Sequence, residues 1–185
     1  MSGISIEIGL RDRDAESQLQ TLLDRMENRR GFYASVGERL LSSSKDRFRE
    51  ENAPDGTPWT PLRPRTIKAR EGKGQTPITI LRSNTKGKSG SSLAGSLNYD
   101  ATNEEVRVGS PLPYAAIHQL GGTIQKPEST RWMSGRRFAK RSEAPEGKEV
   151  KIPAHKITIP SRPFLGLTAG DEEGILEDAA DWLTR

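Results

Sequence analysis

Cysteine is absent from this 185-residue chain, which excludes disulfides and thiolate metal sites. Histidine is nearly absent too, with only His118 and His155. A zinc site would need carboxylates for its remaining ligands, and neither histidine has a His-x-x-x-His partner or an acid-rich cluster beside it. No apolar run approaches the ~20 residues that span a bilayer. The opening MSGISIEIGLRDRDAE also lacks the cationic-then-apolar order of a signal peptide. The expectation is a soluble protein made in a reducing cytosol, without membrane contact. Aromatic residues make up 5% and hydrophobic residues 32%, against 29% charged. That implies a modest core with long polar excursions, in a chain that depends on partners for part of its order. The length suits one domain, residues 1–185.

Signatures of catalysis are missing as well. Arg82–Ser89, RSNTKGKS, ends like a phosphate-binding loop, but Arg82 stands where that loop needs its first glycine. A strand-like segment follows it where a helix is required, so it reads as a basic loop. No Gly-x-Ser-x-Gly elbow occurs. Glu104-Glu105 and Glu172-Glu173 are adjacent pairs whose side chains diverge. No enzyme activity, metal or cofactor is expected.

What is present is charge of changing sign. Residues 59–90 hold eight basic residues and one acid, and residues 126–162 hold ten basic and four acidic. The last fifteen residues reverse this, with six acids against Arg185. Such asymmetry suits nucleic acid or head-to-tail contacts between copies of the chain. Within the second basic segment, Trp132 and Phe138 lie among Arg131, Arg136, Arg137, Lys140 and Arg141. Tryptophan and arginine favour an oligomer interface. The same mixture also holds single-stranded nucleic acid, although no helix-turn-helix, RNP or zinc-finger signature accompanies it.

Periodicity places the elements. Ile4–Ile8 alternates as a short strand. Leu19, Leu22, Leu23 and Met26, then Phe32, Val36, Leu40, Leu41 and Phe48, predict two helices over about 12–28 and 31–51. Their apolar faces await a sheet or a neighbouring subunit. Pro54–Pro58 is a turn, and Thr66 could cap a short helix through Arg70. Residues Leu93–Tyr99 and Glu105–Val108 predict an antiparallel pair. Strands are expected from Thr123 and over Lys156–Ile159, separated by an arm, residues 126–155, of little periodicity. A last helix, Asp171–Leu183, carries an Ile175, Leu176, Ala179, Ala180 and Leu183 stripe. The fold class is α+β: a small, mainly antiparallel sheet packed by N-terminal helices and a C-terminal helix, with a long projecting loop or hairpin.

Three ordered blocks carry a resemblance over about residues 31–183. The first, Phe48–Leu62, contains Pro-Asp-Gly and Trp59-Thr-Pro-Leu. The second runs from Leu93-Ala-Gly-Ser-Leu97 through Val106-Arg-Val-Gly109 to Tyr114-Ala-Ala-Ile-His118-Gln-Leu-Gly121-Gly122. The third is Ile159-Pro-Ser-Arg162-Pro163-Phe164-Leu-Gly166. Together they resemble the phage virion morphogenesis family, which includes tail completion proteins of P2-like phages and Mu-like G proteins. The resemblance implies a structural protein of the virion, at the neck or the head-proximal end of the tail, assembled in the host cytoplasm. It implies a ring, usually hexameric, similar to a tail terminator, with tail tube, sheath and connector proteins as neighbours. It brings no catalytic residues. The alternatives are a portal-side neck or connector ring, or a nonspecific DNA-binding protein. DNA passing through a ring lumen would be met electrostatically. On this reading Tyr114, Ala115 and Ile117 pack inward while His118 and Gln119 hydrogen-bond nearby backbone. Gly121-Gly122 then turns the chain into the next strand.

Overall fold

A computed structural model describes residues 13–82, 92–135 and 137–184. The strand expected at Ile4–Ile8, the loop beyond Arg82 and Arg136 lie outside them. The predicted N-terminal helices are present as α1, Arg13–Glu27, and α2, Arg30–Glu50. Asp14 and Glu16 occupy the first turn of α1, where carboxylates favour the helix dipole. Helix α2 ends where Glu51 adopts a left-handed conformation, and its N–H donates to the Arg47 carbonyl.

Helix α3, Pro64–Glu71, begins earlier than expected. The proline sits in its first turn with its φ already helical, so Arg63 takes the capping position and Thr66 does not. A 3-10 turn over Ala94–Ser96 replaces the first half of the expected strand at Leu93–Tyr99. Leu93 and Leu97 are both buried, and a helical turn points residues four apart to one side, which an extended chain also does only at a much wider spacing. The Ser92 hydroxyl accepts the Gly95 N–H and favours the turn. The strand itself, β1, covers Asn98–Ala101 and pairs antiparallel with β2, Val106–Gly109.

Helix α4, Ala115–Leu120, leads into β3, Gly122–Lys126. The segment read as an aperiodic arm is ordered into strands: β4 at Ser129–Ser134, β5 at Arg137–Phe138 and β6 at Lys148–Ile152. They form a three-stranded antiparallel sheet in the order β5-β4-β6. Strand β7, His155–Ile159, returns along β3, with Ile124 opposite Ile157. Helix α5, Ala169–Thr184, ends the described chain. The fold is α+β, with small antiparallel sheets rather than one continuous sheet.

Helix α2 is the hub, packed on β1, β2 and α5. The approach of β1 is so close that a Cβ on Gly37 would overlap the Tyr99 ring. The core lies at the other end of α2. Phe48 and Phe164, each 1% exposed, pack at 5.2 Å between centroids, and Trp59 meets Phe48 edge-on at 5.4 Å. Ile80, Leu93 and Leu97 complete the cluster.

Helix α5 turns a different face to α2 than its apolar stripe suggested. Asp171 and Gly174 are buried, whereas Leu176 is 70% exposed. The reason is polar pairing. Arg39 grips Asp178 through two bonds of 2.9 Å, and Arg47 bonds Asp171 at 3.0 Å. Helix α1 buries none of its residues, leaving Leu19 62% exposed.

Because Phe48 joins α2 to both other aromatic rings, Phe48→Ala should lower unfolding free energy by about 3–5 kcal/mol. Urea denaturation followed by tryptophan fluorescence would measure this. Leu19→Ala, on the exposed face of α1, should cost far less in the isolated chain.

Candidate functional site

The three sequence blocks meet around one extended segment, residues 161–165. Its backbone belongs to no strand, so its N–H and C=O groups need side-chain partners. Gln119, near the end of α4, supplies most of them. Its Oε1 accepts the Phe164 and Leu165 N–H groups at 2.9 and 3.0 Å, and its Nε2 donates to the Leu165 carbonyl at 2.8 Å. The Arg162 N–H donates to the His118 carbonyl at 2.8 Å, and the Ser161 hydroxyl to the Gln119 carbonyl at 2.9 Å.

From the first block, the Trp59 indole N–H donates to the Pro163 carbonyl at 2.8 Å. Arg162 returns the contact: its Nε and Nη2 donate to the Thr60 carbonyl at 2.9 and 2.7 Å. Arg47 donates to the Phe164 carbonyl at 3.0 Å. Trp59, Arg162, Pro163 and Phe164 thus act as one clamp, closed by His118 and Gln119 from α4.

Gly121 has φ +73, and a Cβ there would stand 2.8 Å from the Ser161 nitrogen. Only glycine lets α4 end against this segment. Tyr114 does not pack inward as expected: it is exposed, with its ring edge-on to His118 at 6.1 Å. Ala115 and Ile117 are half-buried. The hydrogen bonding expected of the His118 side chain also requires correction. Its Nδ1 is enclosed without a hydrogen-bond partner, and the bond to neighbouring backbone comes from its carbonyl. Gln119 does the side-chain work because an amide offers both donor and acceptor to a peptide edge.

Burial pushes the His118 imidazole below its ordinary pKa, and the positive charge of Arg162 pushes it the same way. The neutral form therefore belongs to the folded state. Arg70, Arg82 and Arg162 line the cleft of about 230 Å³ beside it. Arg70 donates to the Thr79 and Arg82 carbonyls, so these cations organise loop backbone.

Sequence reasoning missed Gln119's dominance, Glu51, Arg47 and Asp171. Glu51 accepts the Ile80 N–H at 2.6 Å and so ties the turn after α2 to the core. Burial alone would raise the Asp171 carboxyl pKa, but it is held low by the Thr168 N–H and hydroxyl, Ser43 and Arg47. Burial lowers the Arg47 guanidinium, against the pull of Asp171, without removing its charge at any ordinary pH. Arg47 and Asp171 lie 124 residues apart, and no local pattern could pair them.

The interface candidates divide between two faces of the β4-β5-β6 sheet. Trp132 donates to the Ala144 carbonyl at 2.7 Å, with the Arg141 guanidinium 5.2 Å from its ring. Lys140 pairs with Glu143 in the turn over that face. Arg131, Arg137 and Phe138 are exposed. No group of three potential metal-ligating side chains occurs among the described residues, and none of their helices is long and apolar enough to cross a membrane.

Two outcomes follow from this geometry. Gln119→Leu leaves two N–H groups and a carbonyl without partners, and should destabilise the fold by about 1–3 kcal/mol per orphaned group, measured by chemical denaturation. His118 binds a proton less readily folded than unfolded, so stability should fall as pH drops below the ordinary histidine value near 6.5. His118→Gln should flatten the denaturation midpoint between pH 5.5 and 7.5. An unchanged slope in that variant would assign the effect elsewhere.

Comparison with known proteins places the chain in a family. No solved structure matches. The Mu-like prophage FluMu G protein 2 of Haemophilus influenzae is 37% identical over 90 residues, 49% of this chain and 46% of that protein. The match therefore spans about half the length of that relative. The putative capsid assembly protein G of Escherichia phage Mu is 30% identical over 139 residues, 75% of this chain and 69% of that protein. The model of the phage virion morphogenesis family matches residues 10–184, a span that includes every helix from α1 to α5. The chain belongs to the phage virion morphogenesis family.

Proposed function

We propose that the protein is a structural component of a tailed-phage virion that completes the tail and joins it to the head. Identical subunits close into a ring, most simply a hexamer, at the neck or head-proximal end of the tail. Tail tube, sheath and connector proteins are its neighbours, and assembly takes place in the host cytoplasm. Its work is contact-making rather than catalysis. The observation that carries the reading is the amount of binding surface left open by an otherwise well-clamped fold. Leu19, Leu23 and Met26 on α1, Leu176 on α5 and Phe138 on the arm are all exposed apolar groups. Scattered apolar residues need no explanation, but a whole helix without a buried residue points to a covering partner. Exposed apolar groups on different elements suit the heterologous contacts from which rings are made.

The basic residues 126–162 support one further role, guidance of DNA through the lumen without base readout. A portal-side connector ring is the competing placement, and it would use the same surfaces.

Native mass spectrometry of the purified protein should show one defined oligomer, and proteomics of purified particles should find it in isolated tails. A stable monomer that is missing from mature particles would sink the proposal. Recovery with heads and not with tails would favour the portal-side placement.

A further inference from the structure

Two surfaces of the chain are complementary and do not meet within it. The first is one face of the β4-β5-β6 sheet. Cross-strand partners share a face, so Arg131 lies beside Val150, and Met133 lies between Lys148 and Phe138. This face therefore carries apolar groups and two cations. Phe138 is 61% exposed there. The opposite face is already covered by the turn that holds Trp132 through Ala144 and Arg141. A three-stranded sheet needs an apolar face packed on something, and this one packs chiefly on its own strands.

The second surface is an open groove of about 720 Å³ between α2, the turn at residues 52–56 and the start of α5. Five carboxylates and two guanidiniums line it. Asp171 and Asp178 are matched by Arg47 and Arg39, and Asp46 by Arg49. Among the described residues, Glu38 and Glu50 meet neutral donors, the Tyr99 hydroxyl and the Asn52 amide. The groove thus keeps a net negative charge, and Ala53 and Pro54 add apolar wall.

We infer that the open face of this arm docks into the groove of a second copy of the chain, with Arg131 and Lys148 meeting Glu38 and Glu50. The inference rests on the ring reading above and names its contact. The arm leaves its own groove open, so the occupant comes from another molecule. An arm-to-groove contact is heterologous: each copy gives one surface and receives the other, which propagates around a closed ring. Complementary charge also selects the register and speeds encounter, and salt weakens it.

The test uses the full chain and sedimentation velocity at low and physiological salt. Arg131→Glu/Lys148→Glu and Glu38→Lys/Glu50→Lys should each weaken self-association at least tenfold. An equimolar mixture of the two, or all four changes in one chain, should regain assembly. All four positions are exposed or lightly bonded, and circular dichroism melts would check that the variants fold. Phe138→Asp gives a second probe of the arm independent of the charge swap. Wild-type rings with every variant assembling normally would overturn the arm-to-groove contact while leaving the ring intact. A wild-type chain that stays monomeric would overturn both. Loss of binding to a labelled 30-base-pair duplex in the arm variant, with assembly unchanged, would give the arm to DNA and also overturn the inference.

Discussion

An extended segment without a strand partner is the constraint on which the rest depends. In residues 161–165, Arg162 and Phe164 are buried, so water cannot satisfy every peptide group. The chain answers with side chains drawn from distant positions: Gln119 from α4, Trp59 and its following carbonyls from the turn after α2, and Arg47 from α2 itself. Each of these also positions an element. The segment fixes where α4 ends, how the 52–62 turn lies and where Phe164 enters the core. Burying Phe164 against Phe48 and Trp59 is then a consequence of a hydrogen-bonded clamp that has already chosen the geometry.

The second layer of organisation is ionic. A chain with 32% hydrophobic residues cannot pack every helix through apolar contact. Helix α5 is held to α2 by Arg39–Asp178 and Arg47–Asp171 as well as by the Trp182 ring packed on Gly31. Arg47–Asp171 is a buried pair, satisfied further by Ser43 and Thr168. Such pairs add little net stability over an apolar contact, but losing one partner is costly, so they fix relative placement. Using polar residues for this contact frees the leucines of α5 for other partners. Arg39–Asp178, by contrast, lies in the wall of the open groove, where solvent screens it.

These two devices explain why a modest core and much uncovered surface occur together. Burial is concentrated in the clamp and the Phe48–Trp59–Phe164 cluster, while α1 and the β4-β5-β6 arm keep apolar groups exposed.

Much of this was legible in residue order, and the failures are instructive. The N-terminal helices and the β3 and β7 strands were visible because 3.6- and 2-residue periodicities are local consequences of backbone geometry. Leu93–Leu97 was misread as strand, since two leucines four apart fit either an extended or a helical turn. The arm, expected as a loop or hairpin, shows little alternation because charged residues stand on both faces of its strands, Arg131 and Lys148 on one and Arg137, Glu149 and Lys151 on the other. Gln119 stood beside His118 in the same short motif, yet imidazole drew attention that the amide merited. By itself, the sequence determined the long helices and the β3 and β7 strands, the sign of charge in each region, the family blocks and the need for glycine near a turn. Only the tertiary structure decided that the blocks close on one unpaired segment, that α5 faces α2 with its acids, and which face of the arm stays open. The first two outcomes depend on pairings between residues more than 40 positions apart, such as Gln119 with Leu165, and the third on Trp132 meeting Ala144, none of which a local period encodes.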